Sequence, residues 1–257
     1  MHLTIVGGCF PVQYNIEPER LYHATLRRQL ATRLQGRQPE LHIIRYERLS
    51  TCLAKIVAAQ ARQPTQVLLF HVRAEPVLRL SKLYYRYLDD QGRVRHSLNL
   101  PGTDPGRAEQ FDLLTRPRAT APVPARPLPL AEPQHARLRH LNLRLGRWLG
   151  HERRARRHYA ALVLQVAEFC RREGIRLLVV GPVSRPCSGY ENELSARLHR
   201  HFAALTARQG LAYVPALGEV SAAGEPLFFP NGIHVSPAGH DRMAGLLHEQ
   251  LSRMSTE

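Results

Sequence analysis

Two short segments near opposite ends of the chain carry residues that could form one catalytic set. The first runs from Ile5 to Phe10 and holds Cys9 after two glycines, and the second runs from Asn231 to Ser236 and holds His234. A cysteine beside a histidine can exist as a thiolate that attacks a carbonyl carbon, and an asparagine can fix the orientation of the imidazole ring. If the fold brings the segments together, they supply a nucleophile, a base and an orienting group.

The elements that must position these segments alternate between short apolar runs and stretches with apolar residues at helical spacing. The runs predict buried strands, and the stretches predict helices. Strands that alternate with helices favour a parallel sheet. Strands are predicted at 3–6, 41–46, 66–72, 177–180 and 212–215, and helices at 18–34, at 136–172 with an interruption near Gly146 and Gly150, at 191–209, at 237–254, and after a cap at Ser50 or Thr51 up to 61.

The length of the chain favours one domain that carries an insertion. With 257 residues and 44% hydrophobic content, the chain can bury a full core. Between about 74 and 135 the regular pattern is lost, and 101–133 is rich in proline, glycine and alanine. We expect 74–135 to run over the surface of a single domain that spans 1–257.

The strongly basic composition raises the question of an anionic partner. The formal charge is +15 and the isoelectric point is near 10.6, but Lys55 and Lys82 are the only lysines, so the excess is nearly all arginine. No recognised nucleic-acid motif accompanies the charge, so nucleic acid is not predicted as the main partner. A small acyl substrate with an acidic group remains open, and the oligomeric state is not predicted.

Cysteine spacing and the start of the chain bear on redox state, metals and location. The cysteines at 9, 52, 170 and 187 form no C-x-x-C pair, so neither a disulfide framework nor a structural zinc site is indicated. Cys9, His71 and His234 lack the spacing of a metal site, and neither metal nor cofactor is predicted. No signal peptide and no apolar run of membrane-spanning length is visible, so we expect a cytoplasmic protein.

Two further blocks and the strand order resemble the SGNH (GDSL-type) hydrolase superfamily. The segment from Phe228 to His240, which reads FFPNGIHVSPAGH, is similar to the last block of that family, and Val180 to Val183 is similar to its strand-four exit. The resemblance covers about 1–73 and 155–254. It implies an α/β fold, a flavodoxin-like three-layer α/β/α sandwich with a central parallel sheet, and a hydrolase that uses no cofactor.

The departures from the family lie in the chemistry. The family's Gly-Asp-Ser, with serine as nucleophile, is replaced by Gly7-Gly8-Cys9, and Asn231 stands where the family has the aspartate that orients its histidine. The changes are coherent, because a thiolate can already exist beside a protonated His234 and a neutral asparagine then suffices to orient the ring. His240 is interpreted as structural.

The resemblance also assigns candidates for the oxyanion hole. The family uses the N–H of its nucleophile, a glycine after strand two and an asparagine after strand three. Here the Cys9 N–H remains, Ser50 or its neighbour replaces the first glycine, and Arg73 replaces the asparagine. With Gly8 and His71 these are the oxyanion or substrate-binding candidates. The guanidinium of Arg73 could donate to an oxyanion or grip a substrate carboxylate or phosphate.

Two functions of different classes follow. The first is a hydrolase or acyltransferase that acts on an ester or thioester through an acyl-cysteine intermediate on Cys9. The second is a catalytically silent SGNH-like binding module that recognises an anionic ligand or partner, since the family's acidic positions at 8 and 231 are lost together with its strand-three asparagine.

Overall fold

The computed structural model describes residues 1–8, 10–13, 16–46, 49–78, 144, 147–148, 150–184, 189–220, 227–229 and 234–254. The described residues form one parallel sheet of five strands in the order β2-β1-β3-β4-β5. This is the flavodoxin-like strand order. The strands are β1 (His2–Gly7), β2 (Glu40–Arg45), β3 (Val67–His71), β4 (Arg176–Val180) and β5 (Ala212–Val214), which confirms the predicted strands to within one residue at each end.

Helices connect the strands and pack on both faces of the sheet. They are α1 (Tyr22–Arg33), α2 (Leu49–Arg62), α3 (Glu75–Leu78), α4 (His151–Arg172), α5 (Gly189–Arg208) and α6 (Pro237–Arg253), with short 3-10 helices at Phe10–Val12 and Pro18–Arg20.

Two of the predicted helix boundaries are wrong. The helix predicted at 18–34 is split, because Leu21 is extended (φ −70°, ψ 146°) between the 3-10 helix and α1. Helix α2 begins at Leu49, so Ser50 lies in its first turn instead of capping it. Of the helix predicted at 136–172, the structure describes residues 144 and 147–148 as helical and α4 from His151 onward. Gly150, just before α4, has a positive φ of 70°, which confirms the predicted interruption there.

Alternate side chains of the buried strands enter two apolar cores, one on each face of the sheet. Helices α1 and α6 cover the core that contains Leu3, Ile5, Leu69 and Leu178, and α2, α4 and α5 cover the core that contains Val6, Leu68, Phe70 and Val179. The buried strands are apolar on both faces, as parallel strands between helices require. This confirms the predicted three-layer α/β/α sandwich.

The insertion predicted at 74–135 lies largely outside the described residues, which stop at 78 and resume at 144. Its first described residues form α3. The prediction of a surface segment within one domain therefore stays a prediction. In the part of the chain that the structure describes, no helix combines the length and apolar character needed to cross a membrane.

Candidate functional site

The strand order fixes where a ligand can bind. Strand β1 lies between β2 and β3, so the chain leaves β1 toward one side of the sheet and leaves β3 toward the other. In open parallel sheets, ligands bind at the carboxyl ends of the strands where this reversal occurs. Gly8 follows β1 and Arg73 follows β3, so both lie at that edge.

The structure brings the first and last segments of the chain into contact. The Gln13 Nε2 donates to the Val235 carbonyl oxygen over 2.8 Å, and the Val235 N–H donates back to the Gln13 Oε1 over 3.2 Å. Both residues are buried. The Phe10 ring stacks on the His240 ring with centroids 4.9 Å apart. The residues that flank the predicted nucleophile and base thus meet, while Cys9 and Asn231 themselves lie outside the described residues.

His234 belongs to a short segment that is fixed on both sides. The His234 carbonyl accepts the Phe229 N–H over 2.9 Å, and Val235 pairs with Phe228 in an antiparallel bridge. Ser236 caps α6 by accepting the Gly239 N–H over 3.2 Å. The backbone of the half-buried His234 is therefore held between a bridge and a helix start.

Close neighbours leave no room for a Cβ at either glycine after β1. A Cβ at Gly7 would lie 2.9 Å from the Pro11 Cγ, because the chain folds back over β1. A Cβ at Gly8 would overlap with the Cζ, Nε and Nη1 of Arg73. The guanidinium of Arg73 therefore lies directly against the residue that precedes Cys9, in the space that the family's aspartate side chain would enter.

Arg73 is held in place by its backbone and by its side chain. The Arg73 N–H donates to the Tyr159 hydroxyl over 2.8 Å, and the Arg73 Nη1 donates to the Tyr46 carbonyl over 2.7 Å. The Arg73 Cζ also lies 5.2 Å from the centroid of the Tyr46 ring, within the range of a cation–π contact. The position of the charge at the edge of the sheet is therefore fixed by the fold.

Two buried tyrosine hydroxyls close the turn after β3. The Tyr46 hydroxyl donates to the His71 carbonyl over 2.9 Å and contacts the Tyr159 hydroxyl. Since Tyr46 uses its proton on His71, Tyr159 donates to Tyr46 and accepts from Arg73. Burial raises the pKa of both tyrosines, so both hydroxyls stay protonated and can donate. Sequence reasoning missed this pair, because Tyr46 and Tyr159 lie 113 residues apart in the chain.

Replacing Tyr159 with phenylalanine should destabilise the protein by about 1–3 kcal/mol, because the Arg73 N–H and the Tyr46 hydroxyl would each lose a partner in the interior. Urea unfolding measures the loss. Tyr213→Phe is the matched control, since its hydroxyl pairs with the His199 Nδ1 over 2.9 Å at a distant strand. A loss no larger than that of the control would contradict the assigned role of Tyr159.

The His71 ring contacts Tyr22, which belongs to the core on one face of the sheet, whereas Tyr46 belongs to the core on the other face. The His71 Nε2 bonds to the Tyr22 hydroxyl over 2.8 Å, and the His71 ring lies nearly perpendicular to the Phe10 ring, with centroids 5.9 Å apart. Burial, and then the charge of Arg73, lower the pKa of His71 from 6.5 to about 3, so its ring is neutral at pH 7. With its Nε2 bonded to Tyr22, His71 packs against Tyr22 and Phe10 in the interior. A contact between His71 and substrate stays a prediction.

The remaining candidates occupy different surroundings. Ser50 is exposed as the second residue of α2, and a substrate contact for it stays a prediction. His240 is fully buried, and its Nδ1 accepts the first N–H of α1, from Tyr22, over 3.1 Å. This bond caps a helix that has no side-chain cap of its own, which agrees with the interpretation of His240 as structural.

No metal centre is formed by the described residues, because no group of three or more His, Cys, Asp or Glu side chains among them is arranged to hold an ion. Cys9, which with His71 and His234 was considered as a metal-binding triplet, is not among the described residues.

Comparison with solved structures shows which known proteins share this fold. No protein-family model and no curated protein matches the sequence. Among solved structures, TesA matches with a TM-score of 0.57 and 16% identity over 99% of both chains. The lipase Lip_vut3 from a goat rumen metagenome matches with a TM-score of 0.60 and 11% identity over 97% of both. A lipolytic protein of the G-D-S-L family from Veillonella parvula DSM 2008 matches with 0.57 and 9% over 98% of this chain and 99% of that one. The chain therefore has the fold of GDSL-type hydrolases.

Proposed function

We propose that the protein is a GDSL-type hydrolase or acyltransferase that acts on an ester or thioester through an acyl-cysteine intermediate. Cys9 is the nucleophile, His234 the base, and Asn231 the group that orients the imidazole. The observation that carries the proposal is the pairing of Gln13 with Val235, since it holds the chain just after Cys9 against the residue that follows His234. The fold shared with a lipase adds support.

The reaction divides into two transfers of the acyl group. The Cys9 thiolate attacks the carbonyl carbon, a C–S bond forms, and the negative charge moves to the carbonyl oxygen. When this intermediate collapses, the bond to the leaving alkoxide or thiolate breaks, and the imidazolium of His234 supplies its proton. His234 then takes a proton from water or another acceptor, which attacks the acyl-cysteine and releases the Cys9 thiolate. Asn231 accepts the second ring N–H throughout.

Arg73 is proposed to stabilise the charge that develops at the edge of the sheet. Its guanidinium lies against Gly8, one residue before Cys9, and Tyr46 holds it there. A fixed cation beside the nucleophile favours the thiolate, and donors aimed at a developing oxyanion lower the barrier to attack. The same position suits a substrate that carries an anionic group, which is consistent with the basic composition.

Brief exposure to p-nitrophenyl acetate followed by intact-protein mass spectrometry tests this function. We expect one acetyl adduct that maps to Cys9, forms quickly and is lost in Cys9→Ala and His234→Ala. Cys52→Ala and Cys170→Ala are matched controls that should keep the adduct. Burial raises the pKa of each of these thiols to about 12, so each stays protonated. An adduct that survives Cys9→Ala, or no adduct from a panel of activated esters and thioesters, would overturn the proposal.

The second candidate is a binding module for an anionic ligand, and the immobilised guanidinium of Arg73 favours it. It predicts that Cys9 reacts with iodoacetamide without forming an acyl intermediate, and that calorimetry with small carboxylates and phosphates detects binding that Arg73→Gln removes. Stoichiometric acylation of Cys9 would exclude it.

A further inference from the structure

We propose that Gln13 is a positioning residue that sets the place of the His234 imidazole relative to the chain at Cys9. The inference rests on the proposed function for its catalytic meaning. Its structural basis lies entirely in residues that the structure describes.

The Gln13 side chain forms two hydrogen bonds with the Val235 backbone, as a residue of a neighbouring strand would. Its amide donates to the Val235 carbonyl over 2.8 Å and accepts the Val235 N–H over 3.2 Å. A primary amide can do both at once, because it carries a donor and an acceptor side by side. Gln13 is 5% exposed and Val235 is 4% exposed, so water cannot replace either bond without opening the structure.

On one side, this pairing is anchored to the end of β1. Gln13 directly follows the 3-10 helix Phe10–Val12, and Pro11 of that helix packs against Gly7. The ring of Phe10 stacks on the rings of both Tyr22 and His240, with centroids 4.9 Å from each. The backbone of Gln13 therefore keeps a defined position relative to the strand that leads to Cys9.

On the other side, the pairing acts on the residue next to His234. Val235 bonds to Gln13 through both of its backbone groups, and it also forms the bridge to Phe228. Without Gln13, the buried N–H and carbonyl of Val235 lose their partners, and the segment can relieve this only by moving. A shift of about 1 Å in a catalytic base is enough to slow a reaction about 100-fold.

The experiment compares Gln13→Leu and Gln13→Glu with wild type and with Thr206→Val. Thr206 is a buried residue of α5 whose hydroxyl bonds to the Phe202 carbonyl over 2.8 Å, so its replacement removes a buried side chain to backbone bond away from the site. Two quantities are measured: the rate of Cys9 acetylation by p-nitrophenyl acetate, and the ring ¹⁵N signals of His234 in protein labelled at histidine, assigned with His234→Gln.

We expect Gln13→Leu to slow acetylation about 10-fold to 100-fold at saturating ester, with little change in KM, and to move the His234 signals. Thr206→Val should change neither. Gln13→Glu adds a test by pH: the protonated carboxyl can donate and accept as the amide does, whereas the carboxylate can only accept. Its His234 signals should match wild type at acid pH and depart from wild type as the carboxyl ionises. The variant is nearly isosteric, so it serves if Gln13→Leu does not fold.

The outcomes separate this inference from the proposed function. Displaced His234 signals in the Gln13 variants of a protein that forms no acyl adduct would support positioning and refute the hydrolase. Wild-type acetylation rates and unmoved His234 signals in both Gln13 variants would overturn the inference and leave the hydrolase intact.

Discussion

Replacing Arg73 with glutamine is expected to slow the acylation of Cys9 about 100-fold, the size of effect that follows the loss of one oxyanion donor. The guanidinium combines a full charge with N–H groups, and Tyr46 and Tyr159 fix its position before any substrate arrives. A donor that is already in place needs no reorganisation during the reaction. Glutamine keeps a donor but loses the charge, the reach and the cation–π contact with Tyr46.

Three further variants locate the origin of that loss. Arg73→Lys keeps the charge without the planar group and should recover part of the rate. Gly8→Ala should slow acylation although the charge is kept, because the new methyl group occupies the space of the guanidinium and displaces it from its bond to the Tyr46 carbonyl. Arg176→Gln is the control, since it removes an exposed charge at the start of β4, at the opposite end of the sheet.

Two rates are measured. The first is the pseudo-first-order rate of adduct formation at a fixed pH, followed by mass spectrometry. The second is the rate at which iodoacetamide alkylates Cys9, measured as a function of pH. Loss of the charge should raise the apparent pKa of the thiol in Arg73→Gln but not in Arg176→Gln. If Arg73→Gln and Gly8→Ala acylate at the rate of wild type, Arg73 has no part in stabilising charge at Cys9.

The layers of the fold could be predicted from the sequence because each buried strand is a short apolar run, and such runs are readable without knowing their partners. Leu68 and Phe70 enter one core while Leu69 enters the other, so the run is apolar throughout. The split between Pro18–Arg20 and α1 was not predictable in the same way. It depends on the extended Leu21 and on a cap from His240, which lies far along the chain.

The detail of the site was not predictable, because it is made by pairs that are distant in sequence. Gln13 and Val235 lie 222 residues apart, and Arg73 and Tyr159 lie 86 apart. Neither pair has a periodicity or a spacing that a single sequence could reveal. The substitution of Gly8 for the family's aspartate looked like a plain loss, whereas the structure shows that the space belongs to Arg73.

Acidification is expected to destabilise the folded protein steeply below about pH 6.5. Burial, assisted by the charge of Arg73, lowers the pKa of His71 from 6.5 to about 3, and burial, assisted by His23, does the same for His240. The unfolded chain binds protons at these positions as the pH falls through 6.5, while the folded protein does not bind them until about pH 3. Each histidine thus lowers the free energy of unfolding by up to about 1.4 kcal/mol per pH unit in that window.

Urea unfolding at intervals from pH 7 to pH 4 measures this slope. In His240→Gln the amide oxygen can still accept the Tyr22 N–H, but the titrating group is gone, so the slope should become shallower by up to about 1.4 kcal/mol per pH unit even if the variant is less stable at pH 7. His42→Gln, at an exposed position of β2, is the control and should keep the slope of wild type. Equal slopes for His240→Gln and wild type would mean that His240 takes up its proton as readily in the folded protein as in the unfolded chain, and that the buried contact between α1 and α6 does not make the fold sensitive to acid.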